Sequence, residues 1–372
     1  MLETGSGRTS FPSWNQLGLS REELYLEGTL FSGQSFRWSE HDGEFVGVLR
    51  SHVYSLTYDA KHQVIFRCLE TVQKAPLDPD GDITSHREVL LEFFNGDVDL
   101  QGLAAEWRHR DENFAAKLPR FCGLRTLRVE VLEAIISFIC SSNNNIKRIS
   151  LMVERLCALF AENRIPSVTL HAYYRFPTLP QLATVTEAAL RSIGFGFRAP
   201  FVVQAVEKLL DLGGVPWALA LRREEVSREE ARQALQQLAG VGPKVADCIC
   251  MCSLQKHDAV PVDTHCWQLI RRDYLEELRL AASLTAKRYE QIGTFFRQRF
   301  GPWAGWAFMH LFAAELTRFK PERTQAHASP APSAPRKRQL CGRLKSDTLP
   351  VRSIYFSADT TESEPNGSPP VT

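Results

Sequence analysis

Lys244 and Asp263 stand nineteen residues apart, one in Leu238-Ala-Gly-Val-Gly-Pro-Lys244-Val-Ala-Asp247 and the other in Pro261-Val-Asp-Thr-His265. An amine paired with a carboxylate can attack an electrophilic carbon while the carboxylate stabilises the positive charge that develops. Gly240 and Gly242 precede the lysine and allow a tight turn with positive φ that leaves backbone N–H groups uncovered. Pro243 suits the first position of a helix whose positive end points at the same spot, so a phosphate fits there. Leu235, Leu238, Val245, Ile249 and Cys252 have the spacing of two short helices packed across that bend, a helix-hairpin-helix. Lys244 then falls in the first turn of the second helix, where the helix dipole opposes an ammonium and favours the neutral, nucleophilic amine. Asp263 follows the apolar run Ala259-Val260-Pro261-Val262 and precedes His265 and Trp267, so it reads as a helix cap at the floor of a pocket. The plainer readings are a phosphate-binding lysine in a non-catalytic hairpin and an aspartate that merely caps.

The elements that must carry these groups change character along the chain. In the N-terminal third, Phe45–Leu49, Val53–Tyr58 and Val64–Leu69 are β-rich runs separated by His-Asp-Gly and Asp-Ala-Lys-His turn signals. This predicts an antiparallel meander, with helices packed on it from about Ile83. From Leu127 the period becomes helical: Val129, Leu132, Ile135, Ile136 and Ile139 make one stripe, and Ile146, Ile149, Val153, Leu156 and Phe160 another. Ser141 to Asn145 is the joint between them. After Pro321 the apolar period is lost and Pro, Ser and Ala dominate, which predicts disorder. The expected organisation is therefore α+β: a flexible stretch at 1–11, an antiparallel β domain with packed helices at 12–125, a mostly helical hairpin domain at 126–320, and a tail at 321–372.

With 372 residues, 44% of them hydrophobic and 23% charged, the chain can bury more than one core. No run of about eighteen apolar residues predicts a membrane span, and the N-terminus has neither an apolar signal core nor a clear import pattern. The nine cysteines form no disulfide-like framework and read as reduced thiols. Cys248, Cys250 and Cys252 alternate on a predicted helix, which spreads them around it instead of converging them on zinc. The net charge of +1 hides an asymmetry, because residues 1–125 carry −6 and residues 126–320 carry +5. The positive excess lies with the hairpin and suits a phosphate-binding face, although solvated surface charge also accounts for it.

The hairpin, its lysine and the downstream Val-Asp resemble the helix-hairpin-helix DNA glycosylase superfamily. Gly33-Gln-Ser-Phe-Arg-Trp38, Ser137-Phe-Ile-Cys-Ser-Ser-Asn-Asn-Asn-Ile146, Gly194-Phe-Gly-Phe-Arg198 and Gly301-Pro-Trp-Ala-Gly-Trp306 are similar to successive motifs of the eukaryotic 8-oxoguanine DNA glycosylase family. The resemblance covers about residues 12 to 318. It implies a base-excision enzyme that flips a damaged nucleotide from duplex DNA, displaces its base with Lys244, and cleaves the strand by Schiff-base β-elimination. Asp263 stabilises the sugar cation, and His265 with the hairpin amides at Gly240 and Gly242 holds phosphates. Asn143 enters the vacated space, Arg148 and Arg198 read the orphaned cytosine, and Phe197 stands where the family usually has a tyrosine wedge. The Gly33 carbonyl accepts the N7 hydrogen that distinguishes 8-oxoguanine from guanine, while Phe312 and Cys248 form opposite walls around the base.

Against these roles stand ordinary ones: a cap at Asn145, phosphate contacts for the two arginines, a turn at Gly33 and core packing for the aromatic. One position departs from the family. Phe308 replaces a glutamine that reads the Watson–Crick edge of guanine, leaving His310 or water to compensate. The resemblance also implies a structural cation, monovalent or calcium, on the carbonyls of Gln236, Leu238 and Val241. No cofactor is required, and no iron–sulfur cluster is expected, since Cys266 and Cys341 are the only cysteines after Asp263. Partners are expected to be double-stranded DNA bearing oxidised guanine and downstream repair proteins, with no membrane, and the chain is expected to be a monomer. Pro335-Arg-Lys-Arg338 suggests nuclear import, with a mitochondrial form as a second location. Two alternatives stay open: a hairpin glycosylase with altered damaged-purine preference, and a non-enzymatic lesion-binding protein.

Overall fold

Alternating apolar residues in the N-terminal third form a five-stranded antiparallel sheet in a computed structural model that describes residues 11–70, 85–169, 171–279 and 283–319. Its strands are β1 (Asn15–Ser20), β2 (Trp38–His41), β3 (Glu44–Leu49), β4 (His52–Tyr58) and β5 (Gln63–Cys68), in spatial order β1-β5-β4-β3-β2. The meander β3-β4-β5 is the one its alternation predicts, whereas β1 and β2 close its two edges without having been expected. Along β4 the pleat sends Tyr54 and Leu56 into the main core and Val53 into a small cluster with Val46 and Val48 on the other face.

Helix α1 (Leu26–Leu30) leads into the Gly33 turn. Helices α2 (His86–Phe93), α3 (Leu100–Arg110) and α4 (Glu112–Phe121) follow the sheet. Ser85 starts α2 with a reciprocal capping box to Glu88. Then α5 (Val131–Ile139), buried on every side, is followed by α6 (Ile146–Ala158), α7 (Leu179–Ala183), α8 (Glu187–Ser192), α9 (Ala199–Asp211) and α10 (Gly214–Ala220). The hairpin pair is α11 (Arg228–Leu235) and α12 (Pro243–Cys252). It is succeeded by α13 (Thr264–Asp273), α14 (Ala286–Phe300) and α15 (Ala304–Ala313). The α+β reading holds. Phe160 lies two residues beyond the end of α6 and Val129 two before the start of α5, so each helix is shorter than its apolar stripe suggests. Val129 is instead held by a backbone hydrogen bond from its N–H to the Cys252 carbonyl at 2.7 Å.

One core runs from the sheet (Leu17, Trp38, Tyr54, Phe66) through α5 (Ile135, Ile139) to α12 (Cys248, Ile249). A second gathers α3, α4, α13, α14 and α15 around Trp107, Phe296 and Trp306. Phe312 touches both. Among the described residues no helix is long and apolar enough to cross a membrane. The N-terminal stretch 1–10, the tail after Phe319 and its basic cluster at 335–338 lie outside the described residues.

Candidate active site and nucleic-acid interface

The second hairpin helix starts at Pro243 as its sequence requires, but the two glycines play different parts. Gly240 has φ +77°, and a Cβ on it would come within 2.9 Å of Phe201 Cβ on α9, so both backbone and space demand glycine. Gly242 is extended, with φ −86°, so the positive φ expected there is absent. It is exposed at the N-terminus of α12 with nothing near its missing Cβ, which leaves the helix end open to an anion.

Lys244, in the first turn of α12, is partly buried and faces a cavity of about 940 Å³. Cys248 lies one turn further on and also lines it, together with Asp263, Gly33, Phe308 and Phe312. Six residues spread over 280 positions of sequence thus converge on one space. Asp263 Oδ1 accepts from the Cys266 N–H at 2.9 Å and its carbonyl from Trp267 at 2.8 Å, so it does start α13, and it also faces Lys244 electrostatically. Capping and catalysis are compatible because a carboxylate has two oxygens.

The expected neutral lysine is corrected by its surroundings. Burial pulls the Lys244 amine down, but the Cys248 sulfur, which it hydrogen-bonds, and the Asp263 carboxylate outweigh burial and push it up. Lys244 therefore rests as an ammonium. Cys248, in turn, is pushed up by burial against the pull of Lys244.

Gly33 has φ +85° at the rim of the cavity, and the buried side chain of Gln34 fixes its turn. Gln34 Nε2 donates to Ser32 Oγ and to the Arg125 carbonyl, each at 3.0 Å, while its Oε1 accepts from Leu127 N at 2.9 Å. Sequence reasoning passed over Gln34, although a polar residue next to a conformationally special glycine was the available signal. Phe308 is 1% exposed, lines the cavity and meets Phe296 edge-to-face at 5.1 Å. His310 does not substitute for a polar reader. It is buried against Trp107 and Phe114, its Nδ1 is 2.9 Å from the Trp306 carbonyl, and it does not line the cavity.

A second missed group lies behind Lys244. Asp247, 1% exposed on α12, accepts a 2.6 Å hydrogen bond from Tyr289 of α14. The same phenolic oxygen lies 3.4 Å from the Val262 N–H and 3.4 Å from the Val260 carbonyl. It thus ties α12 to the segment that delivers Asp263. Burial lifts the Asp247 carboxyl to about 6, against the Tyr289 hydrogen bond and the charges of Arg232 and Arg228. An aspartate three residues after the lysine, on a helix that is otherwise apolar, was the legible sign.

The α5–α6 joint forms the other half of the site. Asn143 is exposed with φ +48°, a conformation asparagine tolerates better than most residues. Arg198, 1% exposed, holds it there: its Nε donates to the Ser142 carbonyl at 3.1 Å and its Nη2 to the Asn143 carbonyl at 2.9 Å. Burial and the nearby charge of exposed Arg148 lower the Arg198 pKa. Phe197 is 51% exposed beneath the Arg198 guanidinium, whose carbon sits 4.2 Å from the ring centroid. Asn145 caps α6 through Arg148 N at 3.0 Å, its ordinary role. Asn143, Arg148 and Phe197 are therefore exposed at this joint, and buried Arg198 braces it from beneath. His265 belongs to α13, and its side chain lies outside the described residues.

A glycine-turned hairpin, an amine and carboxylate facing one cavity, and an exposed asparagine–aromatic projection define a helix-hairpin-helix base-excision glycosylase. Residues 16–135 match the 8-oxoguanine DNA glycosylase N-terminal domain, and residues 136–292 the HhH-GPD superfamily of base excision DNA repair proteins. The chain is 36% identical to the N-glycosylase/DNA lyase OGG1 of Arabidopsis thaliana, over 83% of this chain and 82% of that one. It is 33% identical to the N-glycosylase/DNA lyase of Saccharomyces cerevisiae, over 82% and 86%. Its structure resembles that of the Clostridium acetobutylicum 8-oxoguanine glycosylase/lyase in complex with double-stranded DNA containing cytosine opposite 8-oxoguanine. The TM-score is 0.67 at 25% identity, over 82% of this chain and 97% of that one. The chain belongs to the 8-oxoguanine DNA glycosylase family, whose curated members are bifunctional N-glycosylase/DNA lyases.

Proposed function

We propose that the chain removes 8-oxoguanine opposite cytosine from duplex DNA and then cleaves the resulting strand, with Lys244 as the nucleophile. The observation that carries this is the convergence of Lys244, Asp263, Gly33, Cys248 and Phe312 on one cavity. The damaged nucleotide is extruded into it, with Phe312 stacking on the base and Cys248 on the opposite wall. The Gly33 carbonyl accepts the N7 hydrogen of 8-oxoguanine and repels the bare N7 lone pair of guanine. Asn143 fills the gap, Phe197 wedges the stack, and Arg148 and Arg198 donate to the orphaned cytosine. Gly240, Gly242 and His265 hold the phosphates.

Once Lys244 has lost its ammonium proton, Nζ attacks C1′ and the bond from C1′ to the base breaks, its electron pair leaving with the base. Asp263 stabilises the positive charge on the sugar. Opening of the sugar ring gives a protonated Schiff base, and loss of a C2′ proton expels the 3′ phosphate. The carbonyls of Gln236, Leu238 and Val241 would hold a hard cation at the hairpin. Leu238 already accepts from Val241 N at 3.1 Å, which leaves its second lone pair for an ion. Double-stranded DNA is the partner, the protein acts as a monomer, and the nucleus is its place of work, with a mitochondrial form as the second location.

Borohydride trapping on an 8-oxoguanine:cytosine duplex tests the assignment. Wild type forms a covalent adduct, and Lys244→Gln forms none while still binding the lesion duplex. Equal trapping by both proteins removes Lys244 from its role.

A further inference from the structure

The strongest unexplained group lies in the N-terminal sheet and takes no part in the glycosylase chemistry. His52 opens β4, Cys68 closes β5 and His86 opens α2, and one ligand atom from each lies within 4.8 Å of the other two. We infer that His52, Cys68 and His86 form a structural site for a zinc-class divalent ion. The cross-strand register explains the convergence. Tyr54 is paired with Cys68, so His52, two residues earlier on β4, and Glu70, two residues later, project on the same face of the sheet. The first turn of α2 brings in His86, with the two imidazole centroids 4.9 Å apart.

The imidazoles are already oriented by partners of the kind that support metal ligands. His52 Nδ1 lies 2.8 Å from Glu70 Oε1, and Glu70 is itself fixed by the Val53 N–H at 3.2 Å. His86 Nδ1 lies 2.9 Å from the Tyr54 hydroxyl. An imidazole that donates its Nδ1–H to such a partner offers Nε2 to an ion, the arrangement in which an outer carboxylate or hydroxyl sets the tautomer of a ligating histidine. One thiolate and two imidazoles select a borderline-soft ion over magnesium or calcium. Bonds of about 2.0–2.3 Å place tetrahedral ligand atoms roughly 3.3–3.8 Å apart, so the widest pair closes by about 1 Å through side-chain rotation. Binding takes the Cys68 sulfur as thiolate, its proton displaced by the divalent ion. Glu70 serves His52, which leaves the fourth position to water. The ion joins the end of β5 to the start of α2, residues eighteen apart in sequence, and so fastens that helix to the sheet.

The test uses the full chain, freed of metal with a chelator and titrated with Zn²⁺ against a chromophoric competitor, then with Co²⁺ to read thiolate charge transfer and tetrahedral d–d absorption. Wild type binds one equivalent with a thiolate signature and melts at a higher temperature when loaded. Cys68→Ser and His86→Gln lose the tight equivalent, Glu70→Gln weakens it by roughly 10–100-fold, and Cys122→Ser retains it. His86 is exposed, so its variant keeps the fold, which unchanged circular dichroism without metal verifies. Absence of binding by wild type, or binding that survives Cys68→Ser or His86→Gln, overturns the assignment.

Discussion

Removing one oxygen atom, in Tyr289→Phe, should weaken both the fold and the chemistry of an enzyme whose reacting groups that oxygen never touches. The phenol donates to the buried carboxylate of Asp247 at 2.6 Å, while Arg232 and Arg228 approach the same carboxylate no closer than 3.8 and 4.0 Å. Losing a hydrogen bond to a buried charged group costs about 1.5–3 kcal/mol. The cost should depend on pH. Because burial lifts Asp247 to about 6, the folded protein holds that proton at pH values where an unfolded aspartate, near 3.9, has released it. Stability from this group is therefore greatest below about pH 4, falls by roughly 1.4 kcal/mol per pH unit up to about pH 6, and is level above. The Tyr289 bond lowers the Asp247 pKa, so without it the decline continues to higher pH. The deficit of Tyr289→Phe relative to wild type should then be small at pH 5 and full at pH 7.5, read by urea unfolding at both. Asp247→Asn should abolish this dependence. The same hydroxyl steadies Val262, the residue before Asp263, so single-turnover base excision should slow about tenfold, equivalent to about 1.4 kcal/mol, with lesion binding little changed. A deficit identical at both pH values, together with an unchanged excision rate, would refute the linkage of Tyr289 to Asp247 and Asp263.

Three further outcomes follow from the site. Cys248→Ser removes a partner that favours the Lys244 ammonium, so the alkaline rise of the single-turnover rate should move to lower pH; a rise that stays in place removes Cys248 from the proton balance. Wild type should excise faster opposite cytosine than opposite adenine. Arg198→Ala should reduce that preference more than it reduces binding to undamaged duplex, and an equal loss on every duplex would make Arg198 a phosphate contact. Phe308→Gln should favour intact 8-oxoguanine over an analogue lacking the amino group by about 1–2 kcal/mol, at the cost of a lower unfolding midpoint from its lost contact with Phe296. Strong wild-type selectivity that does not rise in the variant would show the edge to be read by another group.

The hairpin, the Lys244/Asp263 pair and the meander β3-β4-β5 were legible because each rests on a local signal: a glycine turn, a period of two, a motif at fixed spacing. The edge strands were not. β1 has only Leu17 and Leu19 as inward apolar positions, and its partner β5 is some fifty residues away, so pairing is decided by tertiary contact and not by propensity. The protonation of Lys244 was misread for a related reason. The helix dipole is visible in sequence, but the Cys248 side chain one turn away and the Asp263 carboxylate delivered by another segment act only once the fold has closed. Arg198 shows the same limit from the other side. Its motif marks it as a donor to the orphaned base, yet the fold first uses it to hold the Ser142 and Asn143 carbonyls and keep Asn143 in a left-handed conformation. Under the proposed function, reading cytosine and shaping the Asn143 loop are therefore coupled through one guanidinium. A change in the loop's conformation and a change in partner-base preference should accordingly appear together, because the donors that face the base are oriented by those that face the loop.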